Sequence, residues 1–167
     1  ALNCVANSRL AESGPYEEVW GQPAAGDAGT ALGAALHVAR RAGDRIEPMP
    51  GADLGRRWDE AELAAWLDAA RIPYQRPDDL VATVADALAR DQLAAWFQGR
   101  GEWGPRALGH RSLLAHPGYA DNVERLNAVK GREQFRPVAP MVSAEHAADV
   151  FEGPLPSPYM TFVHRVR

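Results

Sequence analysis

The residues best suited to chemistry lie in the stretch NAVKGREQFRP, residues 127–137. Lys130 is the only lysine among the 18 lysine and arginine residues of the chain. Lysine carries a compact, movable charge, whereas arginine presents a rigid planar fork, so the two are not interchangeable at a binding site. Lys130, Arg132 and Arg136 are interleaved with glycine and followed by proline, which permit close backbone approach and stiffen a loop. This spacing predicts a loop that presents several positive charges from a fixed frame.

Positive charge is concentrated around this loop. Residues 100–136 hold seven basic and four acidic residues, a local charge of +3 in a chain whose net charge is −4. A phosphate oxygen about 4 Å from a cation gains about 4 kcal/mol at an effective dielectric of 20, so converging cations suit a small polyanion. The alternative is a group of solvated loops with ordinary surface salt bridges. The predicted phosphate-binding residues are Arg106, Ser112, Lys130, Arg132 and Arg136.

Three regions must position these residues. Residues 1–43 predict a strand, a short helix, a second strand, a loop and a helix over Ala28–Arg41. Residues 44–77 predict a connecting segment with one helix, for which Asp59 and Glu62 form a capping-box pattern. The apolar residues of that helix recur at helical spacing, which predicts a face packed in a core. They are Leu63, Trp66, Leu67 and Ala70.

The third region, residues 78–167, alternates helix and strand. Asp78 is expected to cap its first helix. The alternation predicts an α/β (α+β) fold. The later predicted elements are a buried strand over 93–99, a strand over 112–117, a helix over Ala120–Val129, a strand over 137–144, a short helix over His146–Phe151 and a final strand in YMTFVHRVR.

Composition narrows the function classes. The chain is 46% hydrophobic and 24% charged, which is typical of globular proteins. Its net charge of −4 argues against a non-specific nucleic-acid binder, and no apolar run approaches the roughly 20 residues that span a bilayer. Cys4 is the only cysteine, so no intrachain disulfide can form and a cytoplasmic location is expected. Both ends of the sequence are strand-like runs, so we expect the chain to be part of a longer protein.

Two long motifs carry a family resemblance. GEWGPRALGHRSLLAHP, followed by ERLNAVKGREQFRPVAP, closely resembles the O-carbamoyltransferases of nodulation-factor and antibiotic-tailoring pathways. ALNCVANSRL and QPAAGDAGTALGAAL resemble the end of that family's first domain, in the same order. Several long motifs in the right order are far more specific than a lone glycine motif.

The resemblance implies two domains. Residues 1–43 would be the C-terminal end of an actin- and sugar-kinase-like transferase domain, and residues 78–167 the N-terminal part of a truncated YrdC-like domain. The YrdC-like domain would form carbamoyl-adenylate from ATP and carbamoyl phosphate, and the first domain would pass the carbamoyl group to a hydroxyl of a small molecule such as a sugar or antibiotic. Lys130 and Arg132 match the basic pair of the YrdC motif and are the implied catalytic residues. Glu133 departs from the pattern, which usually has proline there.

The resemblance also assigns residues of the first region. Asp27 matches a family aspartate that binds a divalent metal, iron or magnesium, with two histidines of an HxxxH motif expected upstream. From the residues alone, Asp27 would rather cap the following helix. Asn3 and Asn7 match a nucleotide-contacting stretch of the family. The alternative role for both residues is to form a turn or to cap a helix. A Ser-x-Asn motif is expected downstream, and the resemblance leaves a homo-oligomer open.

Other functions remain as alternatives. A hydrogenase-maturation carbamoyltransferase carries the same two modules in reverse order, which the order of the Asp27 and Lys130 segments disfavours. A YrdC enzyme of the tRNA threonylcarbamoyl type is a second alternative. A non-catalytic nucleotide- or RNA-binding module built on the same loops is the third, although the net acidity disfavours RNA. The resemblance implies a small-molecule hydroxyl acceptor as the partner, and no nucleic acid or membrane is expected.

Overall fold

The structure is a computed structural model that describes residues 1–167. Helices dominate, and two short antiparallel sheets accompany them, so the mixed α and β content expected from the sequence is confirmed. None of these helices combines the length and the apolar character that a membrane-spanning helix requires. The elements are α1 Cys4–Ser13, α2 Asp27–Ala42, α3 Glu60–Ala69, α4 Leu80–Ala89, β1 Ala94–Phe97, β2 Arg111–Leu114, α5 Asn122–Val129, a 3-10 turn Ala144–His146, α6 Ala147–Val150, β3 Phe151–Glu152 and β4 Arg165–Val166.

The chain forms two compact units, each discontinuous in sequence. The first unit comprises Ala1–Gly55, Glu102–Leu108 and Met141–Arg167. The second unit comprises Arg56–Gly101 and Gly109–Pro140. The division into domains at 1–43, 44–77 and 78–167 stays a prediction.

In the first unit, polar side chains of α1 hold the C-terminal segment. The amide of Asn7 donates to the carbonyls of Ala1 at 2.8 Å and Thr161 at 2.9 Å. The hydroxyl of Ser8 accepts from the Val163 N–H at 2.9 Å. Asn7, Ser8 and Thr161 are all buried. Because these contacts use the backbone of 161–163, that part of YMTFVHRVR is not a strand, and only Arg165–Val166 pairs with Phe151–Glu152.

In the second unit, β1 and β2 pair antiparallel, with Ala94 opposite Leu114 and Phe97 opposite Arg111. On α5, Arg125 Nη1 lies 2.8 Å from the Asp91 carboxylate. Arg125 Nη2 donates to the main-chain carbonyl of Asp91. β1 was expected to be buried, but its side chains alternate between half-buried and exposed, and Phe97 is 47% exposed. Periodicity thus identifies the strand but not what covers it.

Local capping signals predict helix starts well. The Asp59 carboxylate accepts from the Glu62 N–H at 2.7 Å, so the predicted cap of α3 is confirmed. The Glu62 carboxylate pairs with Arg56 instead of closing the capping box. Asp79, not Asp78, caps α4 and accepts from the Ala82 N–H at 2.8 Å. The predicted helices over Ala28–Arg41 and Ala120–Val129 are confirmed as α2 and α5 with shifted ends.

Several predicted strands are wrong. The first residues form no strand, because Asn3 caps α1 and accepts from the Ala6 N–H at 3.0 Å. No second strand follows α1 before α2. Residues 137–144 form no strand, since two of their residues are prolines that cannot donate to a ladder. The short helix expected over His146–Phe151 begins earlier, as the 3-10 turn that runs into α6.

Buried side chains are few and mostly polar. Among apolar residues, Pro23, Ala24, Ala52 and Leu126 are buried. The predicted core face of α3 is not buried: Leu63 is 37% and Trp66 59% exposed. Hydrogen-bonded polar side chains therefore mark the places where geometry is most tightly specified. They are Asn7, Ser8, Glu102, Asn122, Asn127 and Thr161.

Candidate anion-binding site

The loop that follows α5 carries three of the predicted cations. Gly131 has a left-handed backbone, with φ of +60°. The N–H groups of Gly131 and Arg132 donate to the carbonyls of Ala128 and Asn127 at 3.0 and 3.1 Å. This is a Schellman motif, the common way for a helix to end at glycine. It turns the chain sharply just after Lys130, which therefore lies at the C-terminal end of α5, where the helix dipole favours a positive charge.

Lys130 and Arg132 are electrostatic neighbours. Partial burial of the ammonium group, and then the positive charge of Arg132, lower the pKa of Lys130 below its ordinary value. Two adjacent cations repel each other, and an anion between them would remove that repulsion.

The two arginines of the loop are held differently. Arg132 Nε donates to Asn127 Oδ1 at 2.5 Å, and its Nη2 donates to the Pro137 carbonyl at 3.1 Å. Arg136 Nε donates to the Glu133 carboxylate at 2.6 Å, and both side chains are about half exposed. The hydrogen bond from Arg136 is the main cause that lowers the pKa of Glu133. Arg132 is thus anchored to the loop, whereas Arg136 sits in an exposed and weak ion pair.

Arg106 belongs to the first unit, whereas the three loop cations belong to the second. Its Nη2 donates to the Leu2 carbonyl at 3.0 Å, while its buried Nε has no hydrogen-bond partner. A buried donor without a partner costs about 1–3 kcal/mol, which an anionic ligand would recover. The loop that carries Arg106 is fixed by Glu102, whose buried carboxylate accepts from the Leu108 N–H at 2.6 Å.

Ser112 lies in β2, opposite Trp96 in the hairpin. Its hydroxyl accepts from the Gly109 N–H at 3.0 Å. The hydroxyl proton remains able to donate to a ligand. The phosphate-binding role of Ser112 stays a prediction.

The predicted residues of the first region have distinct surroundings. Asp27 is exposed on the first turn of α2, and no side chain caps that helix, whose N-cap is Gly26. The helix-cap interpretation of Asp27 is therefore wrong. Asn3 is the N-cap of α1, and the amide of Asn7 is occupied inside the unit. Their nucleotide contacts stay a prediction.

Metal ligation by Asp27 needs ligands from elsewhere. No group of three or more histidine, cysteine, aspartate or glutamate side chains could hold a metal ion in this structure. The residues present therefore offer a single carboxylate and not a metal centre.

Sequence reasoning missed Asn127 and Glu102. Both are buried polar residues that shape the two cation-bearing loops. The sequence offered one indication for Asn127: this polar residue is next to Leu126, on the buried side of α5 and one turn before Lys130. For Glu102 no periodic pattern was available, because it lies in a loop.

Two models of one protein family match the chain. A family model described as carbamoyltransferase N-terminus matches residues 1–36, and one described as carbamoyltransferase C-terminus matches residues 85–167. The family resemblance drawn from the motifs is thereby confirmed.

Curated relatives agree with the family models. The chain is 46% identical to the nodulation protein NolO of Bradyrhizobium diazoefficiens, over 100% of the chain and 32% of that protein. It is 36% identical to the 3'-hydroxymethylcephem-O-carbamoyltransferase of Streptomyces clavuligerus, over 99% of the chain and 31% of that enzyme. Nodulation protein U of Bradyrhizobium diazoefficiens is 36% identical, over 99% of the chain and 28% of that protein. The chain thus spans about a third of the length of these relatives.

Proposed function

Since the chain belongs to the carbamoyltransferase family, we propose that it supplies the carbamoyl-phosphate and ATP-phosphate site of an ATP-dependent O-carbamoyltransferase. One observation supports the proposal most directly. Lys130, Arg132 and Arg136 lie on one ordered loop, and the positive charge of Arg132 contributes to the lowered pKa of Lys130. Such a cluster is costly in isolation and favourable around a polyanion. The C-terminal match, residues 85–167, includes this loop.

The proposed reaction has three steps. Water releases phosphate from carbamoyl phosphate and leaves carbamate. A carbamate oxygen attacks the α-phosphorus of ATP, the bond to the β-phosphate oxygen breaks, and carbamoyl-adenylate and pyrophosphate form. The acceptor hydroxyl then attacks the carbamoyl carbon, loses its proton and displaces AMP. Each carbamoylated hydroxyl thus consumes one ATP, one carbamoyl phosphate and one water.

The loop residues would act by positioning and electrostatics, as is usual in phosphoryl and nucleotidyl transfer. Arg132, anchored through Nε and Nη2, leaves Nη1 to donate to a phosphate oxygen. Lys130 supplies a movable charge that follows the reacting group as phosphate leaves and the adenylate forms. Arg136 would exchange its exposed bond to Glu133 for a phosphate oxygen.

Residues of the first unit have separate proposed roles. The unpartnered Nε of Arg106 is suited to an anionic oxygen. Asp27 would provide one ligand of a divalent metal, iron or magnesium, with the other ligands supplied from outside this chain's described residues. Asn3 and Asn7 are the proposed nucleotide-contacting residues of this region, and the side-chain amide of Asn7 is occupied within the unit.

The proposal includes the two-domain architecture that the family resemblance implies. Residues 1–43 would end an actin- and sugar-kinase-like domain, and residues 78–167 would begin a YrdC-like domain. The relative from Streptomyces clavuligerus is named for carbamoylation of a hydroxymethyl group. A small-molecule hydroxyl is accordingly the proposed acceptor.

The test uses the polypeptide encoded by the complete open reading frame. Exchange of labelled pyrophosphate into ATP should occur only when carbamoyl phosphate is present, and AMP should be the nucleotide product when a hydroxyl acceptor is added. Formation of ADP, or exchange that ignores carbamoyl phosphate, would contradict the proposed reaction.

A further inference from the structure

Asn127 is the most completely enclosed polar side chain of the second unit. It lies in the last turn of α5, and its exposed fraction is 0%. Its position three residues before Lys130 places it directly under the loop that carries the cations. None of the roles assigned above uses it.

The amide of Asn127 binds three separate points of the loop. Nδ2 donates to the carbonyls of Gln134 at 3.3 Å and Arg136 at 3.0 Å. Oδ1 accepts from Arg132 Nε at 2.5 Å. The main-chain carbonyl of Asn127 also accepts the Arg132 N–H at 3.1 Å. One side chain therefore satisfies loop donors and acceptors at once, which only a primary amide can do here.

These contacts fix both the path of the loop and the direction of a cation. The two carbonyls anchor the segment that leads to Arg136, and the Nε bond orients the plane of the Arg132 guanidinium. Asn127 is fully shielded from solvent, and the loop that it anchors carries Lys130, Arg132 and Arg136. Polar groups of this kind orient the residues that touch the ligand without touching it themselves.

We propose that Asn127 is a positioning residue of the anion site: its amide holds Arg132 and the backbone leading to Arg136 in the geometry that binds carbamoyl phosphate. This inference rests on the proposed function. Asn127 does not touch the reacting atoms; it acts through Arg132 and through the loop backbone.

A matched control exists on the same helix. Asn122 is also a buried asparagine of α5, 4% exposed. Its amide donates to Asp91 at 3.0 Å and to the His116 carbonyl at 2.9 Å, and its Oδ1 accepts from Arg125 at 2.6 Å. Loss of either asparagine side chain removes buried hydrogen bonds from α5, but only Asn127 contacts the loop.

The experiment compares Asn127→Ala, Asn127→Asp and Asn122→Ala in the polypeptide encoded by the complete open reading frame. Thermal unfolding establishes which variants are folded, and pyrophosphate exchange gives the KM for carbamoyl phosphate and kcat. Asn127→Asp preserves volume and the acceptor for Arg132 but replaces the donor to both carbonyls, so it decides the question if the alanine variant does not fold. Each folded Asn127 variant should raise KM by about tenfold or more, because small misplacements of binding groups are costly. Asn122→Ala should lower the unfolding temperature and leave KM unchanged.

The outcomes separate this inference from the proposed function. A folded Asn127 variant with the wild-type KM would overturn the positioning role, as would an equal rise of KM in Asn122→Ala. If Lys130→Ala retains exchange, the proposed function itself fails. If Lys130→Ala is inactive while both Asn127 variants bind carbamoyl phosphate normally, only the role of Asn127 fails.

Discussion

The indole N–H of Trp103 donates to the carbonyl of Ala28 at 2.8 Å, across 75 positions of sequence. The same residue's main-chain N–H donates to the Ala52 carbonyl at 2.6 Å. Within the first unit, the loop that carries Arg106 is thus tied to the first turn of α2, which carries Asp27. The two predicted sites of this unit share one hydrogen-bonded frame.

Replacement of Trp103 by phenylalanine removes the indole donor and keeps an aromatic ring. One intramolecular hydrogen bond contributes about 0.5–1.5 kcal/mol, so the variant should lose about that much free energy of unfolding. Urea unfolding measures it. Trp66→Phe is the control, since Trp66 is 59% exposed and should be neutral. Equal losses in the two variants would show that the Trp103 bond contributes nothing specific.

The same loop depends on Gly104. Its φ is +106°, and an added Cβ would lie 2.9 Å from the Pro23 carbonyl oxygen and 3.3 Å from Ala24 Cα. Gly104→Ala should therefore destabilise by about 1–3 kcal/mol through backbone strain alone, with the clash in addition. Gly33→Ala, in α2 with nothing near its Cβ, should stabilise by up to about 1 kcal/mol. Thermal unfolding that ranks the two variants the other way would refute this packing.

The pH dependence of activity should report Lys130. The ammonium binds an anion only when protonated, and its pKa is lowered by partial burial and by Arg132. As pH rises through that lowered pKa, charge is lost, so kcat/KM for carbamoyl phosphate should fall at a lower pH than an ordinary lysine would give. Values of kcat/KM report the free enzyme, in which the shift applies.

Lys130→Arg tests this assignment, because arginine stays charged throughout the range. The variant should lose the alkaline fall in kcat/KM, whatever its activity at neutral pH. Circular dichroism at each pH excludes unfolding as the cause. An identical alkaline limb in both proteins would assign the titration to another group.

The Glu133 carboxylate should compete with the anionic substrate for Arg136. Its carboxylate holds Arg136 at 2.6 Å, and the bond keeps its pKa low, so Glu133 is ionised at neutral pH. Exposed ion pairs are weak, so Glu133→Gln should lower KM for carbamoyl phosphate only by roughly two- to fivefold. The pKa is depressed, so the effect should be present at neutral pH and vanish as acid protonates Glu133 in the wild type. Glu124→Gln removes the same charge from α5 and should leave KM higher than Glu133→Gln does; equal effects would indicate net charge alone.

Local chemistry made much of the second unit predictable. Asp59 caps the start of α3, and Gly131 takes the left-handed backbone that ends α5. Such caps depend on only a few neighbouring residues. The cation-bearing loop was found by the same local reasoning. The motifs then identified the carbamoyltransferase family, which the comparisons confirm.

Long-range polar contacts were not predictable. The Asn7 amide binds the Thr161 carbonyl 154 positions away, and this bond replaces the strand expected at the end of the chain. Asn127 looked like one polar position on a helix, because nothing in the sequence shows that Gln134 and Arg136 return over it. The prediction that the apolar face of α3 is buried was wrong for a related reason. Periodicity shows that apolar residues such as Trp66 share a face, but it does not identify an element that covers them.

The most direct measurement is carbamoyl-phosphate-dependent exchange of labelled pyrophosphate into ATP by Lys130→Ala, in the polypeptide encoded by the complete open reading frame. The substitution removes the movable cation and leaves the Schellman turn and the Asn127 contacts in place, so the variant should remain folded. If the loop is the carbamoyl-phosphate and ATP-phosphate site, exchange should be abolished while the unfolding temperature stays close to that of the wild type. Near-normal exchange by the folded variant would contradict the assignment.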